Sequence, residues 1–197
     1  MSTLPLYLAS KSPRRKEILD ALGLPFTVCA VDIEEQLQVG ESADKMVLRL
    51  AAAKVAAADV AEPGLVLGAD TAVVVDDAIF GKPADREEGL DMLAKLSGRS
   101  HKVLTGVAVR SAAGIVTALA ETEVRFRKIG PDEALAYWQS GEPCDKAGAY
   151  AIQGRGGVFV ESITGSYSGV VGLPVYETAR LLSAAGLDIS NMQHAIR

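Results

Sequence analysis

Two arginines stand directly after a serine–proline pair in the segment Leu8-Ala9-Ser10-Lys11-Ser12-Pro13-Arg14-Arg15-Lys16. Ser12 suits a helix N-cap and Pro13 suits the first helical position. The start of a helix already carries roughly half a positive elementary charge and unpaired N–H groups. Arg14 and Arg15 therefore work against the helix unless an anion is held there. A phosphate chain is the simplest such anion. Backbone N–H groups, the hydroxyls of Ser10 and Ser12 and guanidinium forks all bind it. The alternative is a solvated basic turn that costs roughly a few tenths of a kcal/mol.

Carboxylates supply the second kind of chemistry. Asp70, in Gly68-Ala69-Asp70-Thr71, follows a short buried strand, and strand ends are where α/β folds place ligands. A carboxylate there binds a hard cation or takes a proton from water. Otherwise it closes a turn through its own backbone. Glu34 and Glu35 end another strand-like run. With Asp70 they would complete a magnesium or manganese site, since both ions prefer oxygen ligands. The alternative is an exposed acidic turn. Lys54 lies among alanines on a helix face that otherwise looks buried, and it either snorkels to solvent or points to a ligand. Lys82, in Phe80-Gly81-Lys82-Pro83, lies just past a hairpin, where glycine permits close approach.

The run Gly148-Ala149-Tyr150-Ala151-Ile152-Gln153-Gly154-Arg155-Gly156-Gly157 fits neither a Walker A nor a dinucleotide fingerprint. Close approach to a planar or phosphate group and a tight hairpin are equally open readings. His101 and His194 are isolated, which argues against a histidine–zinc site or a serine hydrolase.

The elements that must position these groups follow from hydrophobic pattern and punctuation. Residues 4–9 read as a buried strand and 13–22 as a helix stopped by Gly23. Residues 26–33 are strand-like, and 42–61 form an alanine-rich helix. A buried strand over 65–68 leads into Asp70, and 72–80 reads as a hairpin turning at Asp76-Asp77. A helix spans 85–96, strands cover 103–109 and 115–126, and a helix covers 131–140. Strand-like pieces fall at 158–163 and 170–171, and a last helix spans 174–185. This order predicts an α/β fold with a mixed sheet flanked by helices. The expected organisation is one two-lobed domain over 1–187 and a loose tail over 188–197.

Composition narrows the function classes. The chain has 197 residues, 49% of them apolar, enough for a real core. Twenty basic against 25 acidic residues give a net charge of −5. That balance predicts no nucleic-acid surface, and the cluster from Lys11 to Lys16 suits a small polyanion better. The sequence has no run of 18 apolar residues and no signal-peptide pattern. Cys29 and Cys144 lack C-x-x-C spacing and read as reduced thiols. The expectation is a cytoplasmic protein without a membrane partner.

The motifs Leu8-Ala9-Ser10-Lys11-Ser12-Pro13-Arg14-Arg15, Gly68-Ala69-Asp70-Thr71, Gly81-Lys82-Pro83, Leu96-Ser97-Gly98-Arg99-Ser100-His101 and Asp145-Lys146-Ala147-Gly148-Ala149-Tyr150 occur in the order and approximate spacing of the Maf family. The chain resembles these nucleoside triphosphate pyrophosphatases, also called septum formation inhibitor proteins, over nearly its whole length. The resemblance implies an elongated mixed sheet with two lobes around a deep cleft, similar to the inosine-triphosphate pyrophosphatases. It also implies hydrolysis of a nucleoside triphosphate to the monophosphate and pyrophosphate with a divalent cation, Mg2+ or Mn2+. A homodimer is the family expectation. The family is linked to cell-division arrest and to removal of modified nucleotides.

By resemblance, Ser10, Arg14, Arg15, Glu34, Lys54, Asp70, Lys82 and Gln153 fall on active-site positions, with Asp70 as proton acceptor and Glu34 and Asp70 as metal ligands. The segment around Gln153 looks like the branch acting on dTTP and UTP. A glutamine amide offers a donor and an acceptor, matching the carbonyl beside an N–H in thymine and uracil. Arg14 and Thr71 are its expected neighbours in setting specificity. The alternatives are the 7-methyl-GTP branch and a non-catalytic nucleotide-binding regulator of septum formation.

Overall fold

The computed structural model describes residues 4–187 and residue 189. The expected tail over 188–197 lies outside the described residues except for Ile189, which packs against the core around Leu8 and Leu67. Seven strands form one mixed sheet in the order β2-β1-β3-β5-β6-β7, with β4 paired to β3. They are β1 (Leu6–Leu8), β2 (Thr27–Val28), β3 (Leu65–Val75), β4 (Ala78–Phe80), β5 (Ser100–Ser111), β6 (Gly114–Phe126) and β7 (Val160–Thr164). The helices are α1 (Pro13–Ala21), α2 (Ala43–Ala57), α3 (Arg86–Leu96), α4 (Pro131–Gln139), α5 (Tyr167–Val171) and α6 (Val175–Ala184). The chain forms two compact units. Among the described residues, one holds 4–70, 105–120, 172–187 and 189, and the other holds 71–104 and 121–171.

In the first unit β1 runs parallel to both neighbours, with Leu8 opposite Val28 on one side and Leu67 on the other. Side chains alternate across a strand. Leu6, Leu8, Leu65 and Leu67 thus share one core with Leu19 of α1 and Leu181 and Leu182 of α6. Tyr7 and Val66 share the opposite core with Ala51 and Val55 of α2. Burial on both faces explains why β1 and the start of β3 read as continuous apolar runs. Helix α2 lies close to the sheet because glycines leave room. A Cβ on Gly106 would stand 2.4 Å from the Val47 carbonyl oxygen, and one on Gly68 would stand 2.8 Å from Val55. This approach brings Lys54 onto β3.

The second unit contains the expected hairpin. Asp76 and Asp77 take positive φ values of 47° and 64° between β3 and β4. This is the conformation of a two-residue turn whose twist matches the strands. Asp85 caps α3 by accepting from the Glu88 N–H at 2.9 Å. The core gathers Leu93, Phe126, Tyr137, Tyr150 and Phe159.

Three sequence expectations need correction. The strand-like run over 26–33 pairs only at Thr27–Val28 before the chain leaves the sheet. Residues 170–171 are helical, because Ser166 starts α5. Its hydroxyl accepts from the Gly169 N–H and its carbonyl from the Val170 N–H. Asp70 lies inside β3 rather than at its end.

Candidate active site

The position of Asp70 is set by its neighbour strand. Pairing of β1 with β3 stops at Leu8 and Leu67, and the Ala9 N–H makes a last bond of 2.8 Å to the Leu67 carbonyl. β3 continues, so Asp70 lies just beyond the carboxyl end of the parallel ladder. Such a strand end is where α/β sheets place ligands, and here it is the partner strand that ends.

Lys54, on the sheet-facing side of α2, reaches Asp70. Its Nζ lies 2.6 Å from Asp70 Oδ1 and 2.6 Å from Glu35 Oε1. Lys54 and Asp70 are each only 8% exposed, whereas the Glu35 side chain is half exposed. Burial raises the Asp70 carboxyl above its ordinary value of 3.8. The charge and hydrogen bond of Lys54 oppose that rise, as does Arg15. Asp70 is thus a better proton acceptor than a solvated aspartate, because a higher pKa gives a stronger base. Lys54 favours the charged form and orients the carboxylate. Snorkelling, one sequence reading of Lys54, does not occur.

The start of α1 contributes the next group. Arg15 Nε donates to the Gly172 carbonyl at 2.8 Å and its Nη1 donates to Ser10 Oγ at 3.1 Å. Burial lowers the guanidinium pKa, while the Asp70 charge opposes this. Ser10 Oγ also accepts from the Ser12 N–H at 3.2 Å. Ser12 occupies the N-cap and Pro13 the first turn, as expected, but the Ser12 hydroxyl makes no capping bond among the described residues. Arg14 is half-buried in the same turn.

The structure thus brings Ser10, Arg15, Lys54 and Asp70 together within the first unit, with Glu35 as the second carboxylate on Lys54. Of the two carboxylates read from the residues, Glu35 is the one on Lys54, while Glu34, which the resemblance places among the active-site positions, is exposed. Periodicity carried no information here, because residues 29–38 have no regular structure. Thr71, Lys82 and Gln153 belong to the second unit. There the Gly148 N–H donates to the Gly81 carbonyl at 3.1 Å, tying the loop of Lys82 to the glycine-rich segment. Lys82 and Gln153 are exposed and Thr71 is half-buried.

Among the described residues no group of three or more histidine, cysteine, aspartate or glutamate side chains converges on a metal position. Asp70 and Glu35 share one ammonium partner and offer oxygen donors. That set fits magnesium, which keeps several waters and is held by one or two carboxylates plus phosphates. It does not fit a closed cage made by protein alone.

Comparison with known proteins gives the family. A family model described as Maf-like protein matches residues 5–185, and the chain belongs to the Maf family. A dTTP/UTP pyrophosphatase of Methylococcus capsulatus is 51% identical over 191 residues, covering 96% of this chain and 95% of the relative. A dTTP/UTP pyrophosphatase of Saccharophagus degradans is 50% identical, covering 91% and 88%. Among solved structures, a nucleoside-triphosphatase / dITP/XTP pyrophosphatase of Mycobacterium abscessus is 14% identical with a TM-score of 0.40. It covers 70% of this chain and 95% of that one, a likeness too distant to carry an argument.

Proposed function

We propose that this protein hydrolyses nucleoside triphosphates, dTTP and UTP above all, to the monophosphate and pyrophosphate. The observation that carries the chemistry is the buried Lys54–Asp70 pair, with Arg15 held nearby by Gly172 and Ser10. The substrate class is supported by relatives about half identical along nearly the whole chain, named dTTP/UTP pyrophosphatases.

In this reading Asp70 takes a proton from water, and the water oxygen forms a bond to the α-phosphorus. The bond from that phosphorus to the bridging oxygen breaks, and pyrophosphate leaves. Lys54 favours the ionised form of Asp70. Arg14, Arg15 and Lys82 offset the triphosphate charge, and Ser10 and Ser12 bind its oxygens. Asp70, with Glu34 or Glu35, would hold a Mg2+ or Mn2+ ion, which supplies charge neutralisation and polarises phosphoryl oxygens. Gln153 reads the base, with Arg14 and Thr71 setting specificity. A cytoplasmic homodimer active in nucleotide-pool cleansing and septum formation belongs to the same proposal. No helix among the described residues is long and apolar enough to cross a membrane.

Two results are expected. The first concerns pH. Asp70 must be ionised to accept a proton, so turnover falls as pH drops through its pKa. Burial raises that pKa in the protein without a bound ion, and the acid limb that carries it is that of kcat/KM, which reports the free enzyme. The same acid limb persisting in the residual activity of Asp70→Asn would remove Asp70 as the base. The second concerns the base. Pyrophosphate release measured with dTTP, UTP, GTP and 7-methyl-GTP should give the highest kcat/KM for the two pyrimidines. Gln153→Glu should penalise those two, because a carboxylate then faces a carbonyl oxygen with no proton to share. Preference for 7-methyl-GTP in the unaltered protein would overturn the substrate assignment.

A further inference from the structure

Gln153 lies in a turn with little structure of its own. Residues 151–154 are closed by a bond of 3.2 Å from the Gly154 N–H to the Ala151 carbonyl, with Ile152 and Gln153 at the corners. The groups that hold this turn lie outside it. Glu142 opens a 3-10 turn, Glu142–Asp145, shortly after α4. Its Oε2 accepts from the Arg155 N–H at 3.0 Å and its Oε1 from the Gly156 N–H at 3.0 Å. Tyr137, on α4, donates its hydroxyl to the same Oε1 at 2.7 Å and accepts from the Ala151 N–H at 3.1 Å. One carboxylate and one phenol therefore grip backbone N–H groups on both sides of the Gln153 turn.

The glycines of this segment answer to that grip. A Cβ on Gly154 would stand 2.3 Å from Glu142 Oε2, and one on Gly156 would stand 2.6 Å from the Tyr137 oxygen. Gly154 and Gly156 are thus required by close approach of the backbone to Glu142 and Tyr137. Partial burial works against the Glu142 charge. The hydrogen bonds from Tyr137, Gly156 and Arg155 outweigh it, and the carboxyl is held below its ordinary value. Burial and the neighbouring carboxylate push the Tyr137 hydroxyl up, so it stays a protonated donor.

We propose that Glu142 is a positioning residue for base recognition, fixing the turn that presents Gln153 through Tyr137 and the backbone N–H groups of Arg155 and Gly156. This rests on the reading of Gln153 as the base reader. A carboxylate can accept from all three donors at once. An amide of the same shape cannot, because its NH2 would face an N–H donor.

The test is a double-mutant cycle with Glu142→Gln and Gln153→Ala, reading kcat/KM for dTTP and for GTP beside thermal unfolding. A small displacement of a contacting group costs as much as ~100-fold in rate, and the expected result here is a fall of about tenfold or more in the dTTP-to-GTP ratio for Glu142→Gln. In the Gln153→Ala background the same substitution should leave that ratio unchanged, since the two act through one contact. Should Glu142→Gln lower Tm but keep the ratio, or lower it equally in both backgrounds, the positioning role is overturned while Gln153 keeps its own. Should Gln153→Ala itself leave the ratio unchanged, the base-reader assignment fails and takes this inference with it. Tyr137→Phe, which keeps the ring and removes the two hydrogen bonds of the hydroxyl, carries the same expectations if Glu142→Gln does not fold.

Discussion

Replacing Asp70 by asparagine should reduce pyrophosphate release from dTTP by on the order of 10²–10⁴ while the protein stays folded. The amide keeps the shape of the side chain and loses the ability to accept a proton from water. It should fold because burial works against the Asp70 charge, so a neutral group at that point removes a desolvation cost. Lys54 keeps Glu35 as an ion-pair partner at 2.6 Å. A folded variant with near-normal turnover would show that the proton goes elsewhere. Circular dichroism and thermal melts of the same preparation separate loss of chemistry from loss of fold.

Replacing Lys54 by methionine should have the largest effect on stability. The substitution keeps the length and packing of the side chain on α2 and removes the cation from a carboxylate that is itself 8% exposed. Breaking one partner out of a buried ion pair costs about 3–5 kcal/mol, because the remaining charge stays buried. For a chain of this size that corresponds to a fall in Tm on the order of 10 °C. The sign of the pH dependence follows from the direction of the Asp70 shift. Its folded pKa already lies above the ordinary value and rises further without the lysine, so the carboxyl protonates as pH falls and the deficit shrinks. Combining Lys54→Met with Asp70→Asn should cost less than the sum of the two, since the double variant leaves neither member of the pair facing a lost partner. Strict additivity in denaturant unfolding would mean that the two side chains are not coupled in solution.

Much of the first unit was legible in the sequence because its signals are local. Leu6, Leu8, Leu65 and Leu67 read as buried strand residues, and Lys54 stood out on an apolar helix face. In the second unit the Asp76-Asp77 turn announced its hairpin in the same local way. The failures share a cause, namely dependence on partners distant in sequence. Asp70 looked like a strand end, yet β3 runs on because β4 pairs with it through Val73, Val74 and Val75. What ends at Leu8 is the neighbour β1, which no pattern near Asp70 reveals. Glu34 and Glu35 are indistinguishable by type, and only the path of an irregular segment decides which one meets Lys54. Val170 and Val171 have strong strand propensity, but Ser166 caps a helix over them, and capping wins over propensity in so short a piece. The glycines near Gln153 left close approach to a ligand and a tight hairpin equally open, whereas the groups that approach Gly154 and Gly156, Glu142 and Tyr137, come from around α4. Their only sequence signal is a carboxylate directly after Gly141, too common to single out.

The central claim is that water attacks the α-phosphorus with Asp70 as the base. It is tested most directly by turnover of dTTP in water enriched in oxygen-18, with both products analysed by mass spectrometry. The proposed reaction gives equal amounts of dTMP and pyrophosphate, with one labelled oxygen in the dTMP phosphate and none in the pyrophosphate, and Asp70→Asn suppresses both products together. Label in the pyrophosphate, or dTDP and orthophosphate as products, would contradict it.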